Sequence, residues 1–579
     1  MTWRAEAILA EVGQPKRPDQ NRIARLDTFS FVSSAVDESM AANVEEAAAK
    51  RQKTLGSSVL IQLQSVTGTA LGPAMEVPMA SSCGELEKLV NALKKAEGGD
   101  GASTPYAFYA NDATAVSGTL AEYCEAAPAF NGEVALPLTY EPLSVFRVRR
   151  VSRCAETMPG HSDAVLHVRF APDGRSLASG GGDASVRLWD ALSHTPRKTC
   201  AGHRHHVLCL AWAPDASKVA SGDRSGEVRV WDPKTGAALC VLKKHSKWIT
   251  AIAWCPAHLG DVKAPGSPCE VLASASKDAT VKLWNARTGH VLASLSGHTD
   301  SVEALAWAGD GALYSGARDR TVKFWRAPQD ADGAKAPDWR QTALDGTLQG
   351  HGHRVNALAL SSAHVCRCGP FDHKSGAAAF KADGAPPSAV VQAAKERYDA
   401  FVDANGGPAN AERLVSGSDD ATLLLWTSLL HDPNRKKKAP KARLTGHQQP
   451  VNAIAFAPDA RKFASASFDK KVKLWHGRTG QFLATFTGHV AAVYAIAFSP
   501  DSRLLVSASK DSTLKVWNVA DDTVPASEPK HKVAANRKFA AALETLPGHY
   551  DEVFAVDWAP NGAQAASGSK DRVVKIWAS

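Results

Sequence analysis

The sequence lacks the signatures of several large enzyme classes. It contains no phosphate-binding loop of the form GxxxxGK[ST], no HExxH zinc motif and no nucleophile elbow. No apolar run approaches the length of a membrane span, and the beginning of the chain has no signal-peptide pattern. The ten cysteines follow no regular spacing, which is typical of reduced thiols. These absences argue against an enzyme and indicate a nuclear or cytosolic protein with no membrane partner.

The charge balance is only mildly basic. The chain has 67 basic and 59 acidic residues, a formal net charge of +8. This excess permits contact with RNA or with an acidic protein, but it does not require either. A hydrophobic content of 44% and 15 tryptophans suit a β-rich protein with a large core.

One sequence unit recurs eight times over roughly the last 430 residues. The first copy contains Gly160-His161, then Ser179, Asp183 and finally Trp189-Asp190. The later copies end at Trp231, Trp284, Trp325, Trp426, Trp475, Trp517 and Trp577. The tight copies have a period of about 42 residues. This recurring sequence pattern resembles that of the WD-repeat family. The predicted fold is therefore mainly β, with an eight-bladed β-propeller over residues 143–579.

The resemblance implies a buried network in each blade. The indole N–H of Trp189 would donate to Ser179, and His161 would join Ser179 to Asp183. Equivalent sets are found in later blades: His298, Ser315, Asp319 and Trp325, and then His489, Ser507, Asp511 and Trp517. Because these residues recur in every blade, we interpret them as structural rather than as a catalytic triad. Ser225 occupies the position of the acid in blade two, which predicts a weaker network there.

A propeller needs its last blade completed by a strand from elsewhere. The chain ends two residues after Trp577, so blade eight lacks an outer strand. Residues 145–151 alternate apolar and basic side chains and precede the first Gly-His. We therefore predict that this segment closes the ring.

The first 142 residues differ in composition from the repeats. Residues 1–56 have few large apolar side chains, which predicts a disordered tail. In residues 57–142, a strand at 58–63 and a second at 75–77 precede a helix that begins near Ser82. Further strands are predicted at 106–109 and 134–140. This order of elements is that of a ubiquitin-like β-grasp domain of the α+β class.

The domain order and several phrases resemble the Notchless family. The phrases are 140–149, which lead into the first blade, and 202–207, 245–250 and 488–494. The resemblance covers residues 57–579. It implies a non-enzymatic assembly factor of the large (60S) ribosomal subunit, located in the nucleolus and nucleus and monomeric within the pre-60S particle. Its implied partners are rRNA, other assembly factors and midasin, a giant AAA+ ATPase.

The resemblance also implies one functional acid. The family's ubiquitin-like domain docks on the metal-ion-dependent adhesion site of midasin, where one carboxylate completes the coordination of Mg²⁺. ATP-driven pulling then remodels the particle and releases assembly factors. Glu133, beside Gly132, matches the position of that acid, and Glu125 and Glu141 are competing candidates. A solvated loop acid is the alternative interpretation. The chain itself needs no cofactor, since the Mg²⁺ is shared with the partner.

Residues 361–412 interrupt blade five. Within them, residues 388–402 have the spacing of an amphipathic helix. The insertion could contact a partner or pack on the flank of the propeller, and the sequence does not distinguish these. His364, Cys366, Cys368 and His373 do not have the spacing of a standard zinc finger, so we expect no metal bound by this chain alone.

Basic residues recur just before the turn acid of the blades. They are Arg224, Lys277, Arg318, Lys510 and Lys570. Because they share a face with the Gly-His loops, we predict that this face contacts rRNA or an acidic protein. Two basic loops, at 435–441 and 530–538, could also neutralise phosphates. The alternative interpretation is that they are solvated surface loops. The competing function for the whole chain is a signalling adaptor of the Notch type or one in ubiquitin ligation, although no F-box-like segment precedes the propeller.

Overall fold

The computed structural model describes residues 58–65, 70–96, 106–110, 115–116, 119–121, 135–142, 148–260, 268–328, 337–373, 385–427, 439–519 and 542–579. The predicted N-terminal tail and both basic loops, apart from residues 439–441, therefore lie outside the described residues. The chain divides into a small unit that ends at Leu143 and a large unit over Ser144–Ser579. Each unit is described by itself.

The small unit is a five-stranded mixed sheet with one helix. Its elements are β1 Ser58–Gln64, β2 Met75–Pro78, α1 Cys83–Ala96, β3 Tyr106–Ala110, β4 Ala115–Val116 and β5 Leu136–Pro142. The strand order is β2-β1-β5-β3-β4, and β1 runs parallel to β5. Val59, Ile61 and Leu63 alternate along β1 and are buried in the core between the sheet and the helix.

Helix α1 begins and packs as its sequence predicts. The backbone N–H of Ser82 donates to Glu85 Oε2 at 3.0 Å, which is one half of a capping box. Leu86 and Val90 are buried against the sheet, with Leu89 and Leu93 packed beside them. The stripe at i, i+3, i+4 and i+7 is thus the face that the helix buries.

The large unit is an eight-bladed propeller, which confirms the predicted fold class. Each blade is a four-stranded antiparallel sheet. Blade one consists of β7 Val165–Phe170, β8 Ser176–Gly181, β9 Ser185–Asp190 and β10 Pro196–Ala201, and blade two of β11 Val207–Trp212, β12 Val219–Asp223, β13 Glu227–Trp231 and β14 Ala238–Lys243. Blade three consists of β15 Ile249–Trp254, β16 Val271–Ser276, β17 Thr280–Asn285 and β18 Val291–Ser296, and blade four of β19 Val302–Trp307, β20 Leu313–Ala317, β21 Val322–Arg326 and β22 Ala343–Leu348. Blade five consists of β23 Val355–Leu360, β24 Arg413–Ser418, β25 Leu423–Thr427 and β26 Ala442–Leu444, and blade six of β27 Val451–Phe456, β28 Lys462–Ser467, β29 Val472–His476 and β30 Phe482–Phe486. Blade seven consists of β31 Val493–Phe498, β32 Leu504–Ser509, β33 Leu514–Asn518 and β34 Glu544–Leu546. Blade eight consists of β35 Val553–Trp558, β36 Gln564–Ser569, β37 Val574–Ala578 and, from the other end of the propeller sequence, β6 Arg153–Met158.

The first strand of every blade lines the central channel. The apolar side chains lie between neighbouring blades, so that each core cluster joins two of them. Trp325, for example, is packed with residues of blades three and four. A single blade cannot bury both of its faces, and radial packing supplies the missing partner.

Ring closure uses a different segment from the one predicted. The outer strand of blade eight is β6, Arg153–Met158, which pairs antiparallel with β37. The prediction that residues 145–151 form this strand is wrong. Val151 is instead fully buried in the core between blades seven and eight, and the Val148 N–H donates to Asp501 at 2.7 Å. Val148 and Val151 therefore anchor the chain before the closing strand begins.

Candidate functional site

All eight blades contain the same buried hydrogen-bond network. The tryptophan Nε1 lies 2.7 to 3.0 Å from a serine Oγ in the second strand. The histidine Nε2 lies 2.6 to 2.8 Å from that same Oγ. The histidine Nδ1 lies 2.7 to 3.3 Å from an aspartate. Sets of this kind recur around the whole ring, and the serines are completely buried. They therefore position loops and do not form a catalytic cleft.

The chemistry of the donors fixes the direction of the network. An indole N–H only donates, so Ser507 Oγ accepts from Trp517 and its own hydroxyl donates to His489 Nε2. His489 Nδ1–H then donates to Asp511. Burial acts to raise the pKa of Asp511, but hydrogen bonds from His489 and Thr513 outweigh it and hold the pKa well below its usual range. Asp511 also accepts the N–H of Val490, which fixes the loop after the histidine.

Blade two obtains its acid from an unexpected position. His203 Nδ1 lies 3.1 Å from Asp223, which is fully buried at the end of β12, so the predicted weaker network is wrong. In blade one the equivalent position is Gly181, where a side chain would meet His161 and Asp183 at 2.6 and 2.7 Å. The Asp223 carboxylate therefore fills the space that the turn acid occupies in blade one. Ser225 donates to it at 2.7 Å.

The network predicts a particular loss of stability in acid. We expect Asp511→Asn to lower the stability at pH 7 by about 1.5–3 kcal/mol, since a charge-assisted bond to His489 is lost. Because the folded-state pKa of Asp511 is depressed, its contribution is present above about pH 4 and is lost as pH falls towards the folded pKa. Thermal unfolding at pH 7 and pH 3 measures this, with the difference between variant and parent narrowing at pH 3. A constant difference would contradict the assignment.

The predicted basic residues occupy one register on the face of the Gly-His loops. The backbone N–H of each donates to a carbonyl in the loop that follows a histidine, at 2.8 to 3.0 Å. The five residues and their acceptors are Arg224 with His206, Lys277 with Trp248, Arg318 with Ser301, Lys510 with Ala492 and Lys570 with Glu552. We call this surface the His-loop face.

The members of this row differ in their surroundings. Arg318 lies 3.8 Å from Asp300, and Lys510 Nζ lies 3.2 Å from Glu552. Arg224 and Lys277 instead lie over the same indole ring, that of Trp248. The row is therefore not a uniform band of positive charge, a distinction that the repeat spacing alone did not reveal.

The insertion in blade five covers the opposite end of the channel. It connects β23 to β24 and contains α2 Ala363–Cys368, α3 Pro387–Ala404 and α4 Pro408–Ala411. Residues of α2 line the channel mouth together with strand ends from the other blades. The first strand of a blade starts at the His-loop face, so the connection to the second strand lies at the other face. The described part of the insertion thus packs on this face of the ring and not on the flank of the propeller.

Arg367 attaches this insertion to the far side of the ring. Its Nη1 donates to Asp557 Oδ1 at 2.9 Å and its Nη2 donates to the carbonyl of Phe170 at 3.1 Å. Asp557 belongs to blade eight and Phe170 to blade one. Asp557, 2% exposed, also accepts the Phe170 N–H at 2.8 Å. A residue from blade five therefore bridges the two blades at which the chain closes.

Further contacts hold the insertion against blades two to four. The Tyr398 ring stacks on His258 of blade three at 4.4 Å. Glu412 Oε1 accepts from Tyr398 and from the Gly309 N–H of blade four, both at 3.0 Å. At Gly369, φ is +50° and a side chain would meet the Pro214 carbonyl of blade two at 2.7 Å, so only glycine fits.

The other predicted positions carry no assembled site among the described residues. His373 Nε2 lies 2.7 Å from the Pro172 carbonyl of blade one, and His364 lies 3.8 Å from Cys368. No group of three or more possible metal ligands occurs in the described part of the chain. In the same part, no helix is long and apolar enough to cross a membrane. Glu133 and Glu125 lie outside the described residues, and Glu141 is in β5 opposite Ala107.

Two family models match the two units. The model for the WD domain, G-beta repeat, matches residues 152–190, 194–232, 236–285, 289–326, 438–476, 480–518 and 541–578. The repeat that is interrupted by the insertion and contains Trp426 is not among these segments. The NLE (NUC135) domain model matches residues 59–124 in the small unit. Over 414 residues the chain is 42% identical to Protein Notchless of Drosophila melanogaster, covering 71% of this chain and 77% of that protein. The chain belongs to the Notchless family.

Other relatives and solved structures are consistent with this family. The chain is 42% identical to the Notchless protein homolog of Arabidopsis thaliana, which covers 74% of this chain and 82% of that protein. It is 40% identical to Ribosome assembly protein 4 of Saccharomyces cerevisiae, which covers 74% and 80%. The C-terminal WD40 domain of Sif2 has the same fold, with a TM-score of 0.51 at 18% identity over 74% of this chain and 99% of that one.

Proposed function

We propose that this Notchless-family protein is a non-enzymatic assembly factor of the large ribosomal subunit, acting in the nucleolus and nucleus. The observation that carries the proposal is 40% identity, over 74% of the chain, to a yeast protein named for ribosome assembly. The His-loop face of the propeller binds the pre-60S particle as a monomer. Residues of the chain's own insertion line the opposite channel mouth, which favours the His-loop face as the surface for a large partner.

The small unit is the part that engages the ATPase. Its strand order β2-β1-β5-β3-β4 with a single helix supports the ubiquitin-like interpretation. In this proposal Glu133 completes the coordination of Mg²⁺ in the adhesion site of midasin, because a hard divalent cation with an open position prefers a charged oxygen. ATP hydrolysis belongs to midasin, and this chain transmits the pull to the particle.

The order of segments supports such a transmission. The small unit ends at Leu143, and the first residues beyond it that the structure describes, Val148 and Val151, are anchored on the ring. The closing strand β6 follows at once. A force on the small unit would thus first load the contacts with blades seven and eight, before it reaches β6.

Two measurements test the proposed function separately. The tagged full chain, expressed in a eukaryotic cell, should co-sediment with 60S precursors, and it should capture the purified adhesion domain of midasin in Mg²⁺ but not in EDTA. A chain from residue 144 onwards is the matched control for the second measurement. It should no longer capture the adhesion domain of midasin, but it should still co-sediment with 60S precursors. Absence from all precursor fractions would overturn the assembly role. Capture that is indifferent to EDTA would overturn the metal-bridged docking alone.

A further inference from the structure

One position on the His-loop face combines two cations with an aromatic ring. The Arg224 guanidinium lies 4.6 Å from the centroid of the Trp248 ring, and Lys277 Nζ lies 4.2 Å from it. Trp248 is only partly buried. Cation–π contacts at an exposed site are weak, so they hold two positive charges beside the ring without preventing either side chain from moving to an anion. We call these three residues the Trp248 patch.

The patch is a product of the unusual turn in blade two. At Gly226, φ is +91° and a side chain would meet the carbonyl oxygens of Lys247 and His245 at 2.7 and 2.8 Å. This turn therefore packs directly on the loop that carries Trp248, which brings Arg224 to the ring. Lys277 lies in the turn between β16 and β17, and its N–H donates to the Trp248 carbonyl at 3.0 Å. This hydrogen bond keeps Lys277 beside the same ring.

Charge is concentrated around the patch. Arg204, Lys244 and Lys247 are exposed on the neighbouring loops, and none of them takes part in an ion pair within the described part of the chain. The nearby acids Asp223 and Asp278 are occupied by His203 and His245 in the blade networks. Together with Arg224 and Lys277, these three side chains place five cations on the loops of blades two and three. Elsewhere on the same face, Arg318 lies beside Asp300 and Lys510 beside Glu552.

We infer that the Trp248 patch is a binding site for single-stranded RNA. A phosphate would draw either flexible cation away from the ring, and the face of the indole so exposed would stack on a base. An acidic peptide would use the charges but gain nothing from an indole placed between them. The inference deepens the proposed function by assigning a partner class to the His-loop face, and it rests on that function only for the source of the RNA.

Binding of a labelled oligonucleotide tests the site directly. The probe is a fluorescein-labelled 12-nucleotide oligouridylate, measured by anisotropy with the purified full chain. We expect Arg224→Gln with Lys277→Gln to weaken binding about 10-fold. The same double variant should reduce the salt slope by about 1.4, because each cation that neutralises a phosphate of a single strand contributes about 0.7 to that slope. Trp248→Ala should weaken binding by about 5-fold or more through lost stacking, and Trp248→Phe should restore most of it.

The matched control removes two charges from the same face and register. Arg318→Gln with Lys510→Gln should weaken binding by less than about 3-fold, because each of these residues already has an acidic neighbour. Equal losses in both double variants would overturn the site, as would unchanged binding by Trp248→Ala. Binding of a labelled 12-residue polyglutamate in preference to the RNA would also overturn it and indicate an acidic protein. Thermal midpoints of all variants exclude misfolding. Because the assay needs no ribosomal particle, its failure is distinguishable from failure to co-sediment.

Discussion

Replacing Asp557 with alanine should destabilise the propeller by about 3–5 kcal/mol, the usual cost of breaking a buried ion pair from one side. The variant leaves the Arg367 guanidinium without its carboxylate in the channel mouth and removes the acceptor of the Phe170 N–H. Arg367→Ala should cost less, because Asp557 would keep the Phe170 N–H and Arg169, whose Nη1 is 3.4 Å away. The urea midpoint of the full chain, followed by circular dichroism, measures both effects.

A double-mutant cycle isolates the bridge itself. If Arg367 joins the insertion to the closing blades, the double variant should be more stable than the sum of the two single losses predicts, by about 1–3 kcal/mol. Arg318→Ala is the control, since its pair with Asp300 is half-exposed on both sides and should contribute less than about 1 kcal/mol. Additive losses would show that the insertion packs on its own blade without bracing the ring. Proteolysis of the insertion should also be faster in Asp557→Ala.

Glu133→Ala should abolish capture of the midasin adhesion domain by the full chain. The loss of the only charged oxygen offered to the open Mg²⁺ position should lower the affinity by about 100-fold or more. In EDTA the affinity of the parent for the adhesion domain should fall to that of this variant, and the affinity of the variant should not change. Glu133→Asp, which shortens the reach by one methylene group, should bind at an intermediate level. Titration calorimetry with and without Mg²⁺ provides the affinities.

Two further acids make the test specific. Glu125→Gln and Glu141→Gln remove the competing candidates one at a time and should leave the affinity within about 3-fold of the parent. If either of them abolished capture while Glu133→Ala did not, the docking acid would be reassigned. If all three variants bound normally, none of these three carboxylates would complete the metal site. Urea midpoints of the variants show whether the small unit remains folded.

The repeat network was predictable because its information is local. The serine and the tryptophan are ten residues apart on adjacent strands, and the histidine precedes the serine by 17 or 18 residues in six blades. Blade two broke the rule without losing the network, since a pleated strand also presents a side chain to the same histidine from Asp223. Sequence position alone suggested Ser225, whereas the register of β11 against β12 decided the acid.

The closing strand was misplaced because an outer strand has little apolar pattern to detect. Residues 153–157 of β6 are exposed, as are most residues of the outer strand in blade one. The segment before β6 has the stronger alternation, but its valines serve to anchor it in a core between blades. Burial, and not strand formation, explains that pattern.

By itself, the sequence determined the number of blades, the network inside them apart from the acid of blade two, and the interruption of blade five. These follow from spacings within one repeat, where the backbone geometry of a strand pair leaves few alternatives. Only the tertiary structure decided where the insertion lies, since Arg367 meets Asp557 across 190 residues of chain. It also brought Arg224 and Lys277 to the same ring, that of Trp248. Such contacts join different blades, and they arise only when closure of the ring brings those blades together.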